Sequence, residues 1–131
     1  MSTPASLKLL IFGGTGVLGK SIADKFKAQG YKVTYGVRTL TNPGEQFQLP
    51  ITDAPVPEIL KGELFDTVVF AQGANNNDSV ISHASDDLNR LFEANVSFIS
   101  QTTQALLLHN LIKQRGKIVI LSSFWEQITR H

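Results

Sequence analysis

The chain has 131 residues, 42% of them hydrophobic and 18% charged, with a formal net charge of +1. That length suits one domain with a sizeable core, and a balanced charge with no basic cluster gives nucleic acid or a membrane surface no electrostatic hold. There is no cysteine, which excludes disulfides, Cys-ligated zinc and thiol catalysis. The first six residues are short and polar and the apolar run behind them is brief, so neither a signal peptide nor a membrane span is expected, and a cytoplasmic setting is.

Leu7, Leu9, Leu10, Ile11 and Phe12 read as a short buried strand. A glycine cluster follows: Gly13, Gly14, Thr15, Gly16, Val17, Leu18, Gly19. Strand, glycine turn, helix is the order in which a doubly wound α/β fold builds a phosphate site. Gly13 permits the tight turn, Gly16 lets a pyrophosphate approach the backbone, and Gly19 lets the helix pack close. Thr15, Val17 and Leu18 complete the turn and the helix's first free N–H groups. The same glycines also read as a purely structural turn. A nucleoside-triphosphate loop at Gly19-Lys20-Ser21 is set aside, because Ser21 then lies in a helix already begun and the loop is too short.

After the turn, Leu18, Ile22, Ala23 and Phe26 mark the buried side of an amphipathic helix, with Lys20, Asp24, Lys27 and Gln29 opposite. Gly30 ends it. Residues 32–37 read as a second strand with Arg38 at its end. Thr41-Asn42-Pro43-Gly44 is a turn, and residues 46–49 form a short third strand near the sheet edge, closed by Pro50. Pro55 and Pro57 allow only a turn or two around Glu58, Ile59 and Leu60. Residues 65–71 are a fourth strand, apolar enough to be buried on both faces. Gln72-Gly73-Ala74 closes it, and a polar loop, residues 75–78, follows.

Residues 86–114 carry the longest helical pattern, with Ser85 as N-cap and Asp86 and Asp87 in the first turn. One apolar row runs Leu88, Phe92, Ile99, Leu106, and a second runs Leu91, Phe98, Ala105, Leu108, Ile112. Two rows predict two buried faces, one on the sheet and one elsewhere. Lys113, Arg115 and Gly116 mark the end. Residues 117–121 read as a fifth strand, with Ser122 and Ser123 at its carboxyl end. Alternating elements with short right-handed connections give a parallel sheet of order 3-2-1-4-5. Ligands in such sheets bind where the order reverses, at the carboxyl ends of strands one and four. The glycine turn, Arg38, Gln72-Gly73 and Ser122-Ser123 all fall at strand ends of that kind.

In four stretches the chain resembles the short-chain dehydrogenase/reductase family. The glycine turn is similar to the family's Thr-Gly-x-x-Gly-x-x-Gly form, with Phe12 in place of the Thr. Phe70-Ala71-Gln72-Gly73 lies where the family has Asn-Asn-Ala-Gly. Asn95 matches its helix asparagine. Gly116-Lys117-Ile118-Val119-Ile120-Leu121-Ser122-Ser123 matches its fifth strand and catalytic serine. The resemblance implies a single Rossmann-type domain over residues 1–131, with NAD(P) across the strand ends and hydride transfer to or from a carbonyl or alcohol. Ser123 takes the role of the substrate-orienting serine, its bland alternative being a strand cap. Asn95 holds a water of the proton relay, its alternative being a polar residue satisfied in a helix interface. Ala71, Gln72 and Gly73 join the cofactor cradle.

Arg38 bears on which cofactor. An acidic residue past the second strand accepts from the 2′-OH of NAD, whereas an Arg pairs with the 2′-phosphate of NADP. Arg38 therefore favours NADP. Pro50 stands where the family has an adenine-contacting Asp, so adenine contacts near Ile51 rest on the main chain. The family's chemistry also needs Tyr-x-x-x-Lys beyond the serine. The only tyrosines are Tyr31 and Tyr35, while His83 and His131 read as solvated residues. The chain is therefore expected to be the cofactor-binding part of a truncated reductase, binding cofactor but nearly inactive. A non-catalytic dinucleotide sensor and a plain scaffold are the alternatives. The family's two-fold helix interface implies a dimer through the 86–114 helix, at Leu91 and Phe98.

Overall fold

The computed structural model describes residues 7–49, 51, 56–71 and 96–121. Its strands are β1 (Lys8–Phe12), β2 (Lys32–Val37), β3 (Gln46–Gln48), β4 (Phe65–Phe70) and β5 (Ile112–Ile120). They form one parallel sheet of order β3-β2-β1-β4-β5, the α/β order the alternating pattern predicts. β1 is central, which is why Leu9, Leu10, Ile11 and Phe12 are all fully buried. Its period of two splits the core. Leu10 and Phe12 join Phe47, Leu60, Phe65, Val68, Phe70, Leu106 and Leu111 on one face. Leu9 and Ile11 join Val33, Tyr35, Val37, Val69 and Ala23 on the other.

Helix α1 (Val17–Ala28) covers the second face through Ala23, Ile22 and Phe26. Leu18 departs from the expected buried side and is 59% exposed. The helix instead meets the preceding turn at Gly19, one residue on. The helix stops at Gly30, whose φ of 93° suits glycine. Gly30 N–H donates to the Lys27 carbonyl and Tyr31 N–H to the Phe26 carbonyl. The Phe26 and Tyr31 rings meet edge to face, 4.7 Å apart, completing a Schellman end.

The β2–β3 connection, residues 38–45, contains no helix. Among the described residues, the crossover to β4 carries a single 3₁₀ turn, Glu58–Leu60, at the place the sequence expects a turn or two. The first face is closed by helix α2 (Phe98–Leu108), entered through a π-type turn at residues 96–97. Two expectations change here. The helix does not reach Gln114, because Asn110 adopts φ 55°, Asn110 N–H donates to the Leu107 carbonyl and Leu111 N–H to the Leu106 carbonyl. Asn tolerates that backbone better than most residues, so the chain turns there and β5 starts at Ile112 rather than Lys117. Lys113, Gln114, Arg115 and Gly116 thus belong to β5, in a stretch where the register against β4 shifts. Among the described residues the second apolar row also does not form a separate buried face. Phe98 lies edge-on to Phe12 and Phe70, at 5.8 and 6.2 Å, and Ala105 is buried. Phe98 is therefore a core contact and not an outward interface residue, while Leu107 and Leu108 point outward, at 56% and 66% exposure.

The amino end of the sheet is tied by charge. Glu63 accepts from Lys8 Nζ and, at 3.2 Å, from Lys32 Nζ, joining β1 and β2 to the start of β4. Asp66 accepts from the Lys8 main-chain N–H at 2.7 Å and from Lys113 Nζ at 2.8 Å. The Lys8 ammonium holds the Glu63 carboxyl below its ordinary range. Burial pushes the Asp66 carboxyl up, but the Lys113 hydrogen bond and the Lys8 N–H together outweigh it and leave it lowered.

Candidate dinucleotide site at the carboxyl end of the sheet

The turn after β1 is shaped by what its glycines leave out. Gly13 has φ 80°, a backbone that side chains rarely adopt. A Cβ at Gly19 would fall 1.9 Å from the Gly13 carbonyl oxygen, so only glycine lets α1 sit this close to the turn. A Cβ at Gly16 would meet only that same oxygen, at 3.6 Å. Nothing else described comes within 4 Å of that position, so the backbone is open on this side and a larger side chain would narrow the opening.

Gly16 is the N-cap of α1, and no side chain caps the helix. Lys20 N–H makes the first intrahelical bond, to the Gly16 carbonyl at 2.8 Å. The N–H groups of Val17, Leu18 and Gly19 precede it and lack helical partners. No acidic residue occupies the first turn, while Lys25 and Lys27 occupy the last. The helix dipole thus presents its positive end to the turn without local neutralisation. Residues 14–21 also spell the Gly-x-x-x-x-Gly-Lys-Ser string of a nucleoside-triphosphate loop. In such a loop the lysine reaches the phosphates from the start of the helix. Here the helix has already begun at Val17, so Lys20 lies beyond its first residues and the loop is too tight to wrap a triphosphate.

The other predicted residues come to the same end. Arg38 is exposed where the chain leaves β2, and Ala71 leaves β4, its N–H donating to the Phe12 carbonyl at 2.8 Å. Leu121 leaves β5 in the same way, donating to the Phe70 carbonyl at 3.0 Å. Thr15 and Val17 are exposed beside the turn, Val17 by 93%. Ile51 is placed differently: its side chain is 8% exposed within the core and borders a shallow groove of about 360 Å³ with Gln101, Gln104, Ala105 and Leu108. Gln72, Gly73, Asn95 and Ser123 lie outside the described residues, as do Leu91 and Pro50.

Two residues at this end escape a motif-based reading. Gln46 and Gln48 flank the buried Phe47 on β3 and hydrogen-bond the segment that follows β2. Their signal in the sequence is faint: polar, apolar, polar over three residues, which marks an outer face but not its partner. Among the described residues no group of His, Cys, Asp or Glu could hold a metal ion, and no helix is long and apolar enough to cross a membrane.

No family model matches the chain, and no curated protein shows significant sequence similarity to it. Solved structures do match it in fold. A protein from Burkholderia multivorans assigned to the short-chain dehydrogenases/reductases, with NADP bound, superposes with a TM-score of 0.70 at 25% identity, over 91% of this chain and 59% of its own. A short-chain dehydrogenase family protein from Francisella tularensis subsp. tularensis SCHU S4 gives 0.72 at 18% identity, over 96% and 55%. The aldohexose dehydrogenase of Thermoplasma acidophilum, ligand-free, gives 0.67 at 17% identity, over 90% and 49%. The chain therefore spans about half to three fifths of the length of these structures. Its five-stranded sheet, with a glycine turn between β1 and α1, is the Rossmann-type fold of the N-terminal part of the short-chain dehydrogenases/reductases.

Proposed function

We propose that the chain binds NADP across the carboxyl ends of β1, β2 and β4, as the cofactor-binding part of an oxidoreductase acting on a carbonyl or alcohol. The observation that carries this is the uncapped start of α1, set against a turn where Gly19 permits contact and Gly16 leaves space. The diphosphate meets the N–H groups of Val17, Leu18 and Gly19, and Arg38 pairs with the 2′-phosphate. Val17, 93% exposed beside the turn, is covered by the bound dinucleotide. Ala71, at the end of β4, borders the nucleotide, and by the resemblance Gln72 and Gly73 join the cradle. Near Ile51, whose side chain belongs to the core, adenine is met by main chain.

When bound, the nicotinamide supplies or accepts the hydride. Ser123 hydrogen-bonds the reacting oxygen and Asn95 holds a water of the relay. Proton transfer at that oxygen also needs an acid–base group. The family's Tyr-x-x-x-Lys has no counterpart among these 131 residues, so they bind cofactor without turning it over. The setting is cytoplasmic. The chain self-associates through the outer side of α2, where Leu107 and Leu108 are exposed.

Titration with NADPH, NADH and Mg-ATP, followed by nucleotide fluorescence and thermal shift, tests this. The expected order is NADPH tighter than NADH, with no competition from ATP. No response to either dinucleotide refutes the reading, and a response to ATP alone reinstates the triphosphate loop.

A further inference from the structure

The geometry points to Gln46 and Gln48 as positioning residues that hold Arg38 where it discriminates a phosphorylated from an unphosphorylated adenosine ribose. The inference rests on the reading above that Arg38 meets that ribose. Parallel strands ordinarily need a crossover of about a dozen residues, usually a helix. The β2–β3 connection has the eight residues 38–45 and no helix. It can be this short because β3 has three residues, so the chain descends only about 10 Å before turning up again. A segment without a helix has no ladder of its own to fix it.

Two side-chain amides supply the missing restraint. Gln46 Oε1 accepts from the Thr41 N–H at 2.9 Å, the Asn42 N–H at 3.0 Å and the Thr41 hydroxyl at 3.2 Å. Gln48 Nε2 donates to the Arg38 carbonyl at 3.1 Å, beside the ladder bond from Leu49 N–H to the Val37 carbonyl. Phe47 between them is 2% exposed, which fixes both amides on the opposite face of the strand. One amide thus grips the residue that leaves β2 and the other grips the middle of the segment.

The charge is left available. Among the described residues no carboxylate forms an ion pair with Arg38, and the Glu45 carboxylate accepts from Asn42 Nδ2 at 3.4 Å. A guanidinium on a restrained backbone keeps its fork aligned for a phosphate at less entropic cost than one on a loose loop. A cofactor without the 2′-phosphate has no such contact, and its diphosphate rests on a different segment, residues 13–19. Loosening residues 38–45 therefore penalises the phosphorylated cofactor selectively.

The test uses Gln46→Met and Gln48→Met, which keep length and remove the hydrogen bonds, with Kd for NADPH and NADH read from nucleotide fluorescence and folding checked by circular dichroism. NADPH affinity is expected to fall about fivefold in Gln48→Met, which loses one such bond, and by at least as much in Gln46→Met, which loses three, while NADH affinity stays within about twofold. Gln48 is exposed, so that variant gives a folded sample should Gln46→Met unfold. Equal losses for both cofactors, or an unchanged ratio, overturn the inference and reduce the amides to structural ties. Arg38→Ala is measured alongside. If it too leaves the NADPH-to-NADH ratio unchanged, the role of Arg38 falls and this inference with it; if it lowers the ratio while neither glutamine variant does, only this inference falls.

Discussion

The two ends of one sheet are built differently. At the amino end, Lys8, Lys32 and Lys113 close on Glu63 and Asp66, and the carboxylates draw four strands together. At the carboxyl end the first turn of α1 is uncapped, Arg38 has no carboxylate partner among the described residues, and Val17 stands almost wholly in solvent. Polar groups that satisfy one another hold a fold together but have nothing left for a ligand. Those left unmatched at the opposite end are where local rules give way to binding.

The sharpest way to break this contrast is Gly19→Ala. The new Cβ has no room against the Gly13 carbonyl, so α1 must move off the turn. NADPH affinity should fall by more than about tenfold and stability by about 1–3 kcal/mol, measured by titration and chemical unfolding. Next comes Arg38→Asp, which should lower NADPH affinity about tenfold relative to NADH with little change in stability. Equal losses would remove Arg38 from the site.

Glu63→Gln probes the other end. It should lower stability by about 1.5 kcal/mol and leave dinucleotide affinity unchanged. A change in affinity would mean the two ends are coupled. The same end sets the response to acid. Glu63 and Asp66 titrate below their ordinary values of 4.5 and 3.8, so their contribution is complete above those values and is lost as pH falls through the lower, folded ones. The unfolding temperature should therefore drop more steeply below about pH 4.5 in the native chain than in Glu63→Gln. The smallest effect concerns the turn into β5: Asn110→Ala should cost about 1 kcal/mol and Asn110→Gly almost nothing, by the same unfolding assay.

β1, β2 and β4 are legible because each is a short run rich in apolar or β-branched residues bounded by turn residues, with β4 reading as buried on both faces, and β3 because its lone apolar residue sits between a turn and a proline. The glycine turn is legible for another reason: its chemistry is a backbone shape, and glycine spacing encodes backbone shape directly. The end of α2 is not, because Leu111 and Ile112 continue the apolar period past the true stop. The signal was His109-Asn110, a residue pair whose Asn accepts a left-handed backbone, outweighed by a row of well-spaced leucines. Two rows at helical spacing read as two faces with Phe98 on the outer one, whereas the rings of Phe12 and Phe70 meet Phe98 on the sheet side. The amides of Gln46 and Gln48 and the tie from Lys8 to Glu63 join residues remote in the chain or on different elements, and no periodicity announces such partners.

Phe12 carries one more lesson. Its ring lies where a Cβ on Gly36 would come within 2.5 Å, stacks on Phe70 at 4.9 Å, and meets Phe47 edge-on at 6.1 Å. Positions 12 and 36 therefore behave as a single heritable unit. A lineage placing threonine at 12 would open a void beside Gly36 that only a bulkier neighbour could fill, and one enlarging 36 first would have to discard the phenyl ring. Descendants of this chain should accordingly show epistasis between two sites that lie far apart in sequence but side by side in the sheet.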